Sequence, residues 1–478
     1  MTNLKTWCYH ITSNARYCAV ISLFGVRYHR FIRFRNRNLE GWMKKIVLIS
    51  LAVIATAIMF SCSGKTEAKA PAAAGPAKIT VWCWDPNFNG YSMKQAAEVY
   101  KKINPNVTID IVDIPENIEG KIEAGLQAGG AGLPDIALFQ DYIIEKFIKN
   151  YPGAFVDLKA EGVDYSKFAQ YKLGPMSEGD KIYGIPFDTG STGFYLRSDM
   201  VKAAGLNPDD YQKNLTWTDL IKLGEKIKAK TGKPFIAYDS TSFDFLRIMV
   251  QSTGSQFFKP DGSVDFTSPA MLKSIAYLKT LNDKGLLYMT EGWNNWIAAF
   301  NNGDTAGFLS AIWIIGTLKS KPENAGKWMV LPTPLVEGVP GAQNASNNGG
   351  SSWYIFSKSP NKAAAVDFLK KTWASEDPAA LEFYNTILKG AGAMGTFLPS
   401  RSGSNYTAPD EFFYKNQAVY KDFSDWMAKV PNLLYTPNYV AMRDTVRNAL
   451  NKMFSGELKT PDAVAAAAAA EYKQITGQ

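Results

Sequence analysis

Two short clusters carry most of the recognisable chemistry in this chain. Trp84-Asp85, with Asn87 and Asn89 close behind, follows an apolar run at 79–83, and Gln140-Asp141 follows a second run at 135–139. Both runs read as buried strands, and the helical patterns between them have the spacing of a parallel βαβ sheet. Ligands in such sheets sit beyond the carboxyl ends of the strands, where Trp84, Asp85, Gln140 and Asp141 fall. An indole offers a flat apolar face, while carboxylates and amides offer planar hydrogen-bonding groups. That is equipment for holding a molecule. Equipment for nucleophilic catalysis is missing. His10 and His29, the two histidines, lie in the first 42 residues with Cys8 and Cys18, so only Cys62 and Cys83 remain beyond them. A Ser-His-Asp or Cys-His system and a histidine-based zinc site are excluded for the rest of the chain, and no disulfide, metal or cofactor is expected.

Positioning these groups calls for two α/β bodies, since 478 residues exceed what one hydrophobic core organises. Strand patterns at 79–83, 107–111 and 135–139 alternate with helical patterns at 92–104 and 118–128. Pro105 stops the first helix, and Gly129, Gly130 and Gly132 stop the second. The stretch 181–205, KIYGIPFDTGSTGFYLRSDMVKAAG, organises the remainder. It reads as a strand over 182–186, a polar crossing over 187–193, a strand over 194–196, and a helix from Asp199. Pro186, Gly190 and Gly193 keep the crossing irregular, which makes it a candidate hinge between two sheets. Downstream, the Thr216/Asp219 spacing and Ser268-Pro269 open helices. Strands are expected at 235–238, 305–309, 329–331 and 352–356, and helices close the chain at 361–375, 378–388, 438–454 and beyond Thr460.

Charge marks the leader rather than a partner. The net charge is +8, but residues 1–61 hold nine Lys and Arg against Glu40 alone, which leaves 43 of each sign in 62–478. Nucleic acid is therefore not an expected partner. Met43 begins a basic segment with Lys44 and Lys45, an apolar segment at 46–60 that is short for a spanning helix, and then Ser61-Cys62. This is the layout of a secretory signal. Its Met-Phe-Ser-Cys end resembles a bacterial lipobox, with Cys62 as the lipid-modified first residue of the exported protein. The expectation is thus a translation start at Met43, 1–42 lying ahead of it, a lipoprotein signal at 43–61, and a flexible Pro/Ala-rich tether at 62–77.

The order of several weak motifs resembles the extracellular solute-binding proteins of ABC transporters, family 1, the carbohydrate-binding group that includes maltose-binding protein. The motifs are Leu133-Pro-Asp135; Tyr183–Pro186 with Tyr195, Asp199 and Ala204-Gly205; Thr216-Trp217 with Asp219; Phe300, Gly303, Ala306 and Trp313; Gly349-Gly350; 361–365; and Pro399 with Arg401. Leu196-Arg197 departs from the usual Asn-Lys. The resemblance implies two α/β lobes of discontinuous chain closing around a ligand: 78–187 with 331–372, and 188–330 with 373–478. It also implies a monomer anchored outside the cytoplasmic membrane that delivers a sugar to permease subunits.

A sugar presents apolar C–H faces and a ring of hydroxyls, so its site needs aromatic platforms and planar polar groups. The candidates are Trp84, Asp85, Gln140, Asp141, Asp188, Trp293, Trp313, Gly349, Gly350, Trp353 and Arg401. Of the neighbours Trp293 and Trp296, one is expected in the cleft and the other in the core. An exported glycoside hydrolase working through two acids, and a binding protein for a non-sugar solute, are the competing readings.

Overall fold

The computed structural model describes residues 76–477, and they fall in one continuous unit. The leader, the signal segment, Cys62 and nearly all of the tether lie outside the described residues. Among those described, no helix is long and apolar enough to cross a membrane.

The first lobe begins with β1 (Ala77–Cys83), α1 (Asn89–Ile103), β2 (Val107–Asp113), α2 (Ile118–Gln127), β3 (Ile136–Gln140) and α3 (Asp141–Asn150). A hairpin, β4 (Ser177–Glu178) and β5 (Lys181–Ile182), precedes β6 (Gly184–Pro186). The second lobe contributes β7 (Thr192–Arg197), α4 (Ser198–Ala203), α5 (Trp217–Thr231), β8 (Ile236–Asp239), α6 (Asp244–Ser252), α7 (Pro269–Asp283) and β9 (Leu287–Thr290). It continues with α8 (Trp293–Asn301), β10 (Gly307–Ala311), α9 (Ile315–Lys319) and β11 (Trp328–Pro332). The chain then returns through β12 (Ser351–Ile355), α10 (Lys362–Trp373) and α11 (Pro378–Ala391), and ends with α12 (Val419–Met427), α13 (Tyr439–Phe454) and α14 (Pro461–Thr476).

Two five-stranded sheets result, in the orders β2-β1-β3-β12-β6 and β11-β7-β10-β8-β9. β1, β2 and β3 are parallel, as their helical crossovers require, while β12 runs antiparallel to β3 and β6. Alternation along β1 buries Ile79, Val81 and Cys83 against helices that bring Met93, Ala96 and Ile122 into the same core. Helix ends follow local chemistry. In α5, Thr216 and Asp219 cap each other reciprocally, and Gly232 closes the helix at φ 71°.

The crossing over 187–193 does connect the two sheets, because β6 lies in one and β7 in the other. It is bound to two other crossing segments. Gly190 N–H donates to Asn347 Oδ1 (2.9 Å), Asn348 N–H to Gly190 O (2.7 Å), and Thr189 N–H to Met394 O (2.9 Å).

The expected lobe boundaries move. β11 belongs wholly to the second sheet, so the edge at 331 falls inside a strand. Residues beyond it stay with the second lobe, since Leu335 N–H donates to Leu215 O (2.9 Å) and Ser346 Oγ–H to Ile248 O (2.8 Å). The return comes at 347–350. The edge at 372 also moves, because Phe383, Tyr384 and Ile387 of α11, and then Phe397, pack in the first-lobe core. Both edges come from the resemblance; strand pairing of β11 moves the first and burial of these aromatics moves the second.

Candidate functional site

A cavity of about 580 Å³ opens between the lobes, at the carboxyl ends of β1 and β3. From the first lobe it is lined by Trp84, Asp85, Phe88, Asn89, Gln140 and Tyr142. The loop carrying Trp84 and Asp85 is held by its own side chains. Asp85 Oδ1 accepts the N–H groups of Asn87 (2.8 Å) and Phe88 (3.1 Å), and Asn89 Oδ1 accepts those of Trp84 (3.2 Å) and Asp85 (3.0 Å). Trp84 is half-buried at the packed edge of the lobe core.

The second lobe supplies an indole wall. Trp293 opens α8 behind Gly292, is 49 % exposed, and lies 5.7 Å from Trp313 at an interplanar angle of 35°. Trp296, one turn on, is buried and donates its N–H to Ala237 O (3.3 Å). One tryptophan of the pair thus faces the cleft and the other packs in the core. Trp313 Nε1–H donates to Asn348 O (2.9 Å), tying the indole wall to the returning crossing. A smaller hollow of about 50 Å³ behind this wall reaches Tyr238 and Asp239.

Two guanidinium groups also reach the cavity, and the sequence reading named neither. Arg247 of α6 is buried, bonds Asp244 Oδ1 (2.8 Å), and contacts Asn348 Oδ1 and the Tyr435 hydroxyl. Arg443 of α13 pairs with Asp444 (3.0 Å), beside Tyr439. Tyr142 crosses from the first lobe to pack on Tyr435 and Tyr439, with centroids 6.5 and 6.1 Å away. Arg247 has Asp244 to itself, whereas Arg443 shares Asp444 with Arg447 (3.1 Å); Asp85 and Asp244 line the same cavity as the two arginines.

The floor is the strip 348–351. Gly349 and Gly350 sit at φ 82° and 95°, a backbone open to glycine at little cost. A Cβ on Gly350 would meet Asp141 Oδ2 and Lys172 Nζ, each at 2.9 Å. Asp188 lines the floor, but its Oδ1 accepts both the N–H and the hydroxyl of Ser351, each at 2.8 Å. Burial pushes the Asp188 and Asp141 carboxyls above the usual carboxylate range, against the pull of the nearby Lys172 ammonium.

Eight of the eleven candidate binding residues therefore line one cavity: Trp84, Asp85, Gln140, Asp188, Trp293, Trp313, Gly349 and Gly350. Three do not. Asp141 is buried beneath the floor and binds Lys172 Nζ (2.5 Å) and Ser352 Oγ–H (3.1 Å). Trp353 is fully buried in β12 and packs on Phe187 and Trp373 at 5.6 and 5.9 Å, because its register in this interior strand points it into the core. Arg401 pairs with Asp425 (3.2 Å) at a separate surface hollow. No group of three or more potential metal ligands occurs among the described residues.

The family model described as bacterial extracellular solute-binding protein matches residues 95–401. The lactose-binding protein of Rhizobium radiobacter is 42% identical over 367 residues, covering 76% of this chain and 85% of that protein. The arabinooligosaccharide-binding protein of Bacillus subtilis (strain 168) is 24% identical, covering 90% of this chain and all of that protein. Among solved structures, the sugar-binding protein MalE from Xanthomonas citri superposes with a TM-score of 0.69 at 17% identity, covering 84% of this chain and 98% of that one. This chain belongs to the bacterial extracellular solute-binding protein family.

Proposed function

We propose that the protein captures a neutral sugar or short oligosaccharide in the inter-lobe cavity and delivers it to the permease of an ABC importer. The observation that carries this reading is the indole wall of Trp293 and Trp313, set in the same cavity as Trp84 and a rim of planar polar groups. Flat apolar faces suit the C–H faces of pyranose rings, and Asp85, Gln140, Asp244, Arg247 and Asn348 suit hydroxyls. The carboxylates of Asp85 and Asp244 in the same lining as the two arginines disfavour an anionic solute. The lactose- and arabinooligosaccharide-binding relatives support a saccharide of about this kind.

The two lobes close on the ligand about their bonded crossing segments. Cys62 carries the lipid anchor, 62–77 is the tether, and the protein acts as a monomer at the outer face of the cytoplasmic membrane. The ligand contacts are Trp84, Asp85, Gln140, Trp293, Trp313 and the Gly349-Gly350 backbone. Asp188 serves the floor rather than the solute.

A tryptophan-fluorescence titration against mono- and oligosaccharides tests this, with each mixture checked afterwards for breakdown. A saturable change with intact sugar is expected. A flat response to every sugar, or hydrolysed sugar, would overturn the reading.

A further inference from the structure

We infer that Lys172 is a positioning residue for the solute site, holding the floor strip 348–351 from beneath. The inference rests on the cavity being the place where solute binds. Lys172 ends the short turn Gln170–Lys172, is completely buried, and touches none of the cavity. Its ammonium donates to Asp141 Oδ2 (2.5 Å), Asp188 O (2.9 Å) and Ser351 O (3.1 Å), which uses all three of its protons. The acceptors come from three separate segments: the start of α3, the first crossing, and the start of β12.

Both acidic residues of the cluster bind the strip or the residue that follows it. The Asp141 N–H donates to Gly350 O (3.1 Å), Asp141 Oδ1 accepts the Ser352 hydroxyl (3.1 Å), and Asp188 Oδ1 accepts both donors of Ser351. Lys172 thus joins the pieces that fix where Gly350 and Ser351 stand.

On the other side of the strip lies the cavity. The N–H groups of Gly349 and Gly350 find no acceptor among the described residues, and both glycines line the cavity. Unspent amides at a site are the donors a sugar hydroxyl or ring oxygen can use. A buried ammonium is costly to keep unless each proton is accepted in good geometry. Here one acceptor, Ser351 O, belongs to the strip that carries the two free amides, and the other two belong to Asp141 and Asp188, which are themselves bonded to that strip. Any slackening of Lys172 is therefore transmitted to them.

The test uses the full protein labelled with ¹⁵N-glycine, with lactose as the probe. Lys172→Met is expected to displace the Gly349 and Gly350 amide signals before any sugar is added. Signals from distant glycines such as Gly232 and Gly456 should stay in place. Lactose affinity should fall by at least about tenfold, at temperatures where the variant remains folded. Should Lys172→Met fail to fold, Asp141→Asn keeps one acceptor for the ammonium. It is expected to move the same two signals and to weaken lactose by about threefold or more. Unmoved Gly349 and Gly350 signals in the folded variants, or unchanged affinity, would overturn the inference. If lactose moves no signal in the unsubstituted protein, the carbohydrate reading fails for this sugar, while the sugar-free displacement still decides what Lys172 does.

Discussion

Replacing Trp313 separates two contributions that the indole makes at once. Its ring forms half of the cleft wall with Trp293, and its Nε1–H holds Asn348 O at 2.9 Å. If a pyranose face covers about 80 Å² of apolar surface on this ring, burial at ~25 cal/mol per Å² contributes about 2 kcal/mol. Stacking of nucleic-acid bases on aromatic side chains, at about 1–3 kcal/mol by alanine substitution, is of the same order. The hydrogen bond to Asn348 adds about 1 kcal/mol, and its loss loosens the floor strip as well. Trp313→Ala should therefore weaken sugar binding by about 30- to 150-fold. Trp313→Phe retains most of the ring and loses only the donor, so about fivefold is expected. Titration calorimetry on both variants, run well below their melting temperatures, gives the ratio. Unchanged affinity in a folded Trp313→Ala protein would refute the stacking argument. Equal losses in the Ala and Phe variants would assign the effect to Asn348 instead.

Further outcomes follow from local geometry. Gly350→Ala should lower stability more than Gly349→Ala. Both carry left-handed strain of about 1–3 kcal/mol, but only the Gly350 Cβ would stand 2.9 Å from Asp141 and Lys172, whereas Trp313 is 3.5 Å from the Gly349 Cβ; the two melting temperatures give the order. Burial pushes the Cys83 thiol up to about 12, so Cys83 should resist iodoacetamide in the native protein and react after denaturation, as read by peptide mass mapping. The Thr216 hydroxyl and N–H hold the Asp219 carboxyl below its usual range, so its contribution is present above the unfolded pKa and fades as pH falls through the folded one. Asp219→Asn should then cost a few tenths of a kcal/mol at neutral pH, discounted for the exposed carboxyl, and progressively less as pH falls below the usual carboxylate range, as thermal melts across acid pH would show.

The sequence was most legible where local chemistry and burial agree. The apolar runs of β1 and β3 placed Trp84, Asp85 and Gln140 at strand ends, and the proline and glycines of the crossing located the passage between sheets. It was least legible where tertiary packing decides. α6 brings Asp244 and Arg247 to the cavity, yet its N-cap is Phe243, with no side-chain cap, and polar and apolar residues alike are buried along it, so it gives no start signal. Arg443 and Tyr439 lie on a helix whose face toward the cleft cannot be told from a solvated face by periodicity. Trp353 and Trp293 have the same composition signal; only strand register buries one and a glycine-led helix start exposes the other. Lys172 sits among short turns, where charge ordinarily means solvent, and only convergence of three segments encloses it.

The most direct test of the central claim is a crystal structure of the protein with the sugar that gives the strongest fluorescence response. One saccharide is expected between the lobes, with a ring face on Trp293 or Trp313 and hydroxyls within hydrogen-bond reach of Asp85, Gln140 or the Gly349-Gly350 amides. A sugar bound elsewhere, with the inter-lobe cavity occupied by solvent alone, would contradict it.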